Sequence, residues 1–328
     1  MRFSSRNLST LRRLLCELQD DVRARVIAVR RRGSVRLARV ATVTAADTIY
    51  VIDALIEETV LAWFARRWPA RWPVELVMEG LDDGEAVTFP RGTPVAATVC
   101  KCIIDPIDGT RGLMYDKRSG WCLAGLAPQL GTATTLADIV VAAMTELPAA
   151  KAGQADQLSA VRDGGVIAER MDLRTGRRRR LRLKPSETRG LGHGFSSFAK
   201  FFPEGKAWLA AREERLWAEL GAGADVFDDQ YMSTGGQLYE LIMGHDRFVA
   251  DVRPLAHRRL GIVSARVCHP YDMAAALLAE EAGCILTDAI GDRLRAPLDT
   301  TSAVAWVGYA NRALARKIGP VLRRVMAG

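Results

Sequence analysis

The segment from Val99 to Thr110, VCKCIIDPIDGT, constrains this chain more than any other. Its apolar run to Ile104 reads as a short buried strand, broken at once by Asp105, Pro106, Asp108 and Gly109. Two carboxylates delivered to a strand-to-loop edge are costly unless their charge is compensated. A hard divalent cation does this well, because magnesium prefers carboxylate, carbonyl and water oxygens. Gly109 and Thr110 then offer backbone N–H groups at a tight turn, suited to a phosphate oxygen. By residue type alone, an acidic surface turn remains an equal reading.

The flanking sequence supplies mixed elements. Leu11, Leu14, Leu15, Leu18, Val22 and Val26 recur at helical spacing with Ser9 available as an N-cap. A second stripe after Asp47, through Ile49, Ile52, Ile56, Val60, Trp63 and Phe64, predicts a helix stopped by Pro69 and Pro73. Strands are expected at 74–78 (ending at Glu79), 122–126, 139–144 and 284–287, and helices at 207–220, 237–243 and 273–282. Asp272 would cap the last of these and Gly283 would follow its end. This order predicts a layered α/β (α+β) architecture in two intimately packed halves, 1–185 and 186–328, without repeats or a low-complexity linker.

Composition narrows the function classes. With 328 residues, 49% of them hydrophobic, the chain can bury one large core or two linked ones. No apolar h-region follows the N-terminus, and no run approaches the roughly 18 apolar residues of a membrane span, so a cytoplasmic chain without membrane contact is expected. The six cysteines lack CxxC pairs or the spacing of a disulfide scaffold and are expected to be free thiols. The four histidines show no HxxxH-type spacing, against a zinc enzyme. A net charge of +8 favours anionic partners. The arginine-rich stretch 177–184 follows a Thr175-Gly176 turn signal and alternates with Leu181 and Leu183, as an exposed hairpin strand does. It lacks the interleaved aromatic residues of a nucleic-acid groove, so nucleic acid is not the expected partner.

DPIDGT (105–110), followed far downstream by HPYDMAAALLAEEAGCILTD (269–288), resembles the two signature motifs of the inositol monophosphatase superfamily, which includes fructose-bisphosphatases and nucleotide 3'-phosphatases. VTAAD (43–47) and Met78-Glu79-Gly80 support the match, which then spans residues 43–288. The resemblance implies a sugar-phosphatase fold of alternating αβαβα layers and a magnesium-dependent phosphomonoesterase. Glu79, Asp105 and the Ile107 carbonyl would bind one Mg2+, and Asp105, Asp108 and Asp272 a second, with a third, weaker ion near Glu79. Asp47 and Thr110 resemble the pair that orients and deprotonates the attacking water, with Glu79 beside them. Gly109, Thr110 and Arg111 would face the phosphate, and Asp251 falls where inositol phosphatases place an acid that accepts a sugar hydroxyl. A homodimer is the common assembly of relatives.

Each role has a plainer counterpart: an N-cap for Asp47 and Asp272, a solvated strand end for Glu79, a surface acid beside Arg253 for Asp251. The chain also departs from the family pattern. Gly80 stands where many relatives carry a second acid, Tyr271 replaces the usual tryptophan, and Arg111, Gly112 and Leu113 follow DPIDGT where inositol phosphatases tend to show Thr-Asn-Phe. Ser196, Ser197, Lys200, Arg253 and His269 are further candidates for the pocket rim by position. The expected substrate is a small phosphorylated metabolite, an inositol or sugar phosphate. The alternatives are a bisphosphatase acting on fructose 1,6-bisphosphate or a 3'(2'),5'-bisphosphorylated nucleotide, and a non-catalytic relative that binds phospholigands or nucleic acid.

Overall fold

A computed structural model describes residues 3–31, 40–43, 48–81, 86–222 and 225–328. The chain opens with α1 (Ser5–Arg31), whose Leu11, Leu15, Leu18, Val22 and Val26 are buried along one stripe. The helix begins at Ser5, so Ser9 lies inside it rather than capping it. Strands β1 (Val40–Val43) and β2 (Thr48–Tyr50) pair antiparallel and lead into α2 (Val51–Arg67). The second helix thus starts later than the sequence stripe predicts, and Ile49 falls in β2. Asp47 lies outside the described residues.

Strands β3 (Val74–Met78), β4 (Val87–Phe89) and β5 (Cys100–Asp108) follow, then the short helix α3 (Thr110–Met114). Next come β6 (Gly120–Pro128), β7 (Val141–Leu147), β8 (Gln154–Val161), β9 (Val166–Asp172) and β10 (Arg178–Arg180). Seven of these strands join β3 in an eight-stranded sheet ordered β10-β9-β8-β7-β6-β5-β3-β4, in which only β3 and β5 run parallel. A second, five-stranded sheet is built from β11 (Gly194–Phe198), β12 (Val226–Phe227), β13 (Asp246–Asp251), β14 (Ile285–Asp288) and β15 (Trp306–Tyr309), in the order β12-β11-β13-β15-β14. The remaining helices are α4 (Lys206–Glu219), α5 (Thr234–Met243), α6 (Arg253–Leu260), α7 (Ala276–Glu281) and α8 (Arg312–Ala327).

The layers follow from what each strand must hide. Every residue of β5 is buried. Its side chains alternate between two cores: Cys100, Cys102 and Ile104 join α1 and α2, while Ile103 joins the core shared with α5, α7 and the second sheet. A strand covered on both faces reads as a near-continuous apolar run, which is why its periodicity was legible only as burial. Helices α4 and α8 cover the far face of the five-stranded sheet. The result is the αβαβα layering expected from the motifs.

The basic hairpin also forms. Strand β10 pairs antiparallel with β9, and the Asp172 side chain accepts hydrogen bonds from the Arg174 and Thr175 backbone to shape the turn before Gly176. All six cysteines are free, five of them buried. Among the described residues no helix is long and apolar enough to cross a membrane.

Candidate metal centre

The C-terminal end of β5 carries Asp105 and Asp108 to the floor of a cavity of about 430 Å3. Local geometry fixes each carboxylate. Asp105 Oδ1 accepts from the Ile107 backbone N–H at 3.0 Å, folding the acid back over the Pro106 turn. Asp108 Oδ2 accepts from Ser233 Oγ at 2.8 Å and from the Gly235 backbone N–H, at the start of α5. Ser233 also caps that helix, its Oγ accepting from Gly236 N–H at 3.0 Å. Between the two, Gly109 adopts φ 83°, and a Cβ there would lie 2.9 Å from Ser233 Cβ. The DPIDGT turn and the α5 N-terminus therefore lock together only with glycine at 109.

Asp272 enters from the loop before α7. It does not cap a helix from 273, as the sequence predicts: residues 271–275 form turns and α7 starts at Ala276 with Ala275 as its N-cap. The Asp272 carboxylate instead accepts from the His269 backbone N–H at 2.6 Å, which closes the local loop. Asp105, Asp108 and Asp272 each offer an oxygen, and these oxygens all lie within 4.8 Å of one another. Glu79 sits at the end of β3 beside them, with its backbone N–H donated to Ile104 O at 3.2 Å.

Three carboxylates so close repel one another, and burial removes the water that would screen them. Burial, then the charges of Glu79, Asp108 and Asp272, push Asp105 well above the usual carboxylate range. Asp108 is raised to about 7, first by burial and then by Asp272, against the opposing pull of the Gly235 and Ser233 hydrogen bonds. Neither Asp105 nor Asp108 forms an ion pair among the described residues. The donor set fits a hard divalent cation: oxygen ligands only, fixed by backbone hydrogen bonds and short of positive charge.

Thr110 Oγ1 hydrogen-bonds to the Ile107 carbonyl at 2.8 Å and to Asp53 Oδ1 at 3.3 Å. Among the described residues, then, the partner of Thr110 is Asp53, from the first turn of α2; Asp47, named for this role from VTAAD, falls outside them. Gly109 and Arg111 line the cavity as the motif implies. Asp251 does not. It is fully buried at the end of β13 and gripped by Arg253, whose Nε lies 2.8 Å from Oδ1 and whose Nη2 lies 2.5 Å from Oδ2. Both carboxylate oxygens are engaged, so the residue that reaches the cavity wall is Arg253, not the acid. His269 also lines the wall, stacked on Tyr271 with ring centroids 5.3 Å apart. Ser196, Ser197 and Lys200 do not line it, and Lys200 pairs with Glu213 and Asp228.

No protein-family profile and no curated protein matches the sequence at a significant level. Solved structures do. The extragenic suppressor protein suhB of Bartonella henselae superposes with a TM-score of 0.65 at 15% identity, covering 96% of this chain and 99% of that one. Leishmania major fructose-1,6-bisphosphatase gives 0.66 at 12% identity, covering 97% and 95%. A Pyrococcus horikoshii protein described as similar to inositol-1 monophosphatase gives 0.63 at 16%, covering 96% and 98%. The fold is that of the inositol monophosphatase superfamily. At such low identity this chain is a divergent carrier of the inositol monophosphatase fold, and the likeness extends over nearly its whole length.

Within that fold, six residues at the site went unread in the sequence. Ser233 was detectable as an N-cap ahead of the α5 apolar stripe. Asp53 and Glu57, four residues apart on α2, share one helical face and both line the cavity. Phe201, Phe202 and Arg266 add an aromatic and basic wall to the cavity, with the Arg253 guanidinium 4.5 Å from the Phe201 ring centre. Nothing in the local sequence marks that wall.

Proposed function

We propose that this chain is a magnesium-dependent phosphomonoesterase that releases phosphate from a small phosphorylated metabolite, an inositol or sugar phosphate. One observation carries the reading: Asp105, Asp108 and Asp272 converge within 4.8 Å in a cavity of metabolite size. An empty acidic cluster is a standing electrostatic cost, which a bound divalent cation relieves. The named activities of the structural neighbours, a fructose-1,6-bisphosphatase and a protein likened to an inositol-1 monophosphatase, point the same way.

In this reading Glu79, Asp105, the Ile107 carbonyl, Asp108 and Asp272 hold Mg2+. Bound there, the metal supplies charge neutralisation for the phosphoryl group and lowers the pKa of a coordinated water. The protein positions the rest. Thr110 Oγ1 accepts a proton from the attacking water as its own passes to Asp53, so the pair acts as the base that Asp47 and Thr110 were expected to form. Backbone N–H groups at Gly109, Thr110 and Arg111 face the phosphate oxygens. Water attacks directly, with no phosphoenzyme.

The basic wall favours a second reading in one respect. Arg266, which lines the cavity together with the Asp251-paired Arg253, suits a leaving group with its own phosphate, as in a sugar or nucleotide bisphosphate. Phosphate release from a panel of inositol, sugar and nucleotide mono- and bisphosphates, with magnesium and then with excess chelator, decides between them. Chelator-sensitive release is expected; release indifferent to chelator would refute the metal-dependent reading.

A further inference from the structure

Gly80 breaks the acidic wall in the sequence, yet its place in space is taken. The residue follows Glu79 in the left-handed region, with φ 89°. A Cβ at this position would lie 2.1 Å from Glu57 Oε1, 2.5 Å from its Cδ and 3.2 Å from Oε2. The Glu57 carboxylate therefore fills the volume that a side chain at 80 would claim. The backbone conformation favours glycine at 80, and a side chain there would have to displace the Glu57 carboxylate.

Helix phase explains how Glu57 arrives. It lies one turn after Asp53, on the same face of α2. The buried stripe of Ile52, Ile56, Val60, Trp63 and Phe64 sets the rotation of the helix, and Thr110 hydrogen-bonds Asp53 at the DPIDGT turn. The rotation that brings Asp53 to the site brings Glu57 to the cavity as well, next to Glu79. Glu57 is half-buried, and among the described residues no donor or cation pairs with its carboxylate. Glu75, two strand positions before Val77 on the adjoining β3, shows the usual alternative: its carboxylate meets Lys101 Nζ at 3.3 Å. Burial, and then the charge of Glu58, disfavour the ionised Glu57 carboxylate, a placement that costs stability unless a cation joins it.

We propose that Glu57 is a cation-holding residue of this site: from α2 it supplies the second carboxylate of the wall beside Glu79, in place of a side chain at position 80. The proposal rests on the metal-dependent reading above and deepens it. An acid moved from a strand end to a helix keeps the charge of the wall while freeing the backbone at 80 for a tight turn.

The test uses Mg2+ alone, titrated calorimetrically into the metal-free full chain, with melting temperature measured with and without the ion. Glu57→Gln is expected to weaken Mg2+ binding by about tenfold, the low end of what carboxylates around a metal contribute. It should shrink the Mg2+-linked rise in melting temperature while the metal-free melting temperature holds or rises. Gly80→Ala, by displacing the carboxylate, should weaken binding similarly, and the double variant should lose little more than either single one. Unchanged Mg2+ affinity in Glu57→Gln, with Asp105→Asn abolishing binding, would overturn the role of Glu57 and leave the site standing. A fall in metal-free melting temperature at unchanged affinity would equally overturn it, by making Glu57 structural. Absence of Mg2+ binding in the unaltered protein would overturn the underlying reading itself.

Discussion

Strand β5 ends in Asp105 and Asp108, and strand β13 ends in Asp251; all three acids are buried, yet their charges are handled in opposite ways. Asp251 is met by a cation of the protein itself, a bidentate Arg253 two residues on, and the pair closes on itself. Asp105 and Asp108 are met by other acids and by backbone N–H groups, which orient carboxylates without neutralising them. A buried ion pair whose partners are both internal is architecture. A buried cluster whose balancing charge has to come from outside is a receptor for that charge. The contrast separates the acid that looked like a substrate ligand in the sequence from those that look like metal ligands.

Substitutions at the two strand ends put that contrast at risk. Asp105→Asn should lower kcat/KM by about a thousandfold or more, on the order of 4 kcal/mol of transition-state stabilisation, while the chain stays folded. Steady-state phosphate release and circular dichroism check both halves, and full activity would sink the assignment. Asp251→Ala should do the reverse. Stranding Arg253 in the interior costs about 3–5 kcal/mol of stability, read as a lower denaturation midpoint, and Mg2+ affinity of the folded fraction should change little.

A pH series sharpens the comparison next. Asp108 is held at about 7, whereas an unfolded aspartate titrates near ~3.9. A carboxyl whose folded pKa is the higher one contributes its full stability below the unfolded value and loses it as pH rises through the folded value. The metal-free protein should therefore lose stability between about pH 4 and pH 7, with Asp105 acting in the same direction. Saturating Mg2+ should flatten that fall, since an ion bound only to the folded state stabilises it most where the acids are ionised. Melting curves across pH 5 to 8 with and without Mg2+ check the sign; stability rising with pH in the metal-free chain would contradict the repulsion. The smallest effect belongs to Ser233→Ala. It removes a helix cap and one tether of Asp108, for about 1 kcal/mol in chemical denaturation.

How much of this could be read beforehand depended on how local each cause is. DPIDGT was legible because strand, turn and carboxylates follow one another within ten residues, and the downstream motif fixed the partner Asp272. The layering followed from strands such as β5 and β6, buried along almost their whole length. The start of α2 was misplaced because the apolar stripe runs on through Ile49 into β2, and periodicity does not register where a strand hands over to a helix. The link between Asp53 and Thr110 was missed because VTAAD drew attention to Asp47, which lies outside the described residues. Glu57 and Gly80 are 23 positions apart, and only the rotation of α2 reveals that they share one space. The Asp251 pairing was open in the sequence as a neighbouring arginine, but whether the acid faces the cavity or its neighbour is settled by the turn from β13 into α6.

The arginine strand β10 has a consequence away from the cavity. It forms one margin of an open sheet, where unpaired backbone groups are a template for any extended chain that docks alongside. Arg178 is tied back to Asp20 and Glu169, but Arg179 and Arg180 stay exposed, and a second copy approaching edge to edge would meet the same charges. The opposite margin, β4, is only three residues long. The exposed hairpin strand expected from the sequence thus sets like charges along that margin, an arrangement that disfavours growth of the sheet beyond its own eight strands.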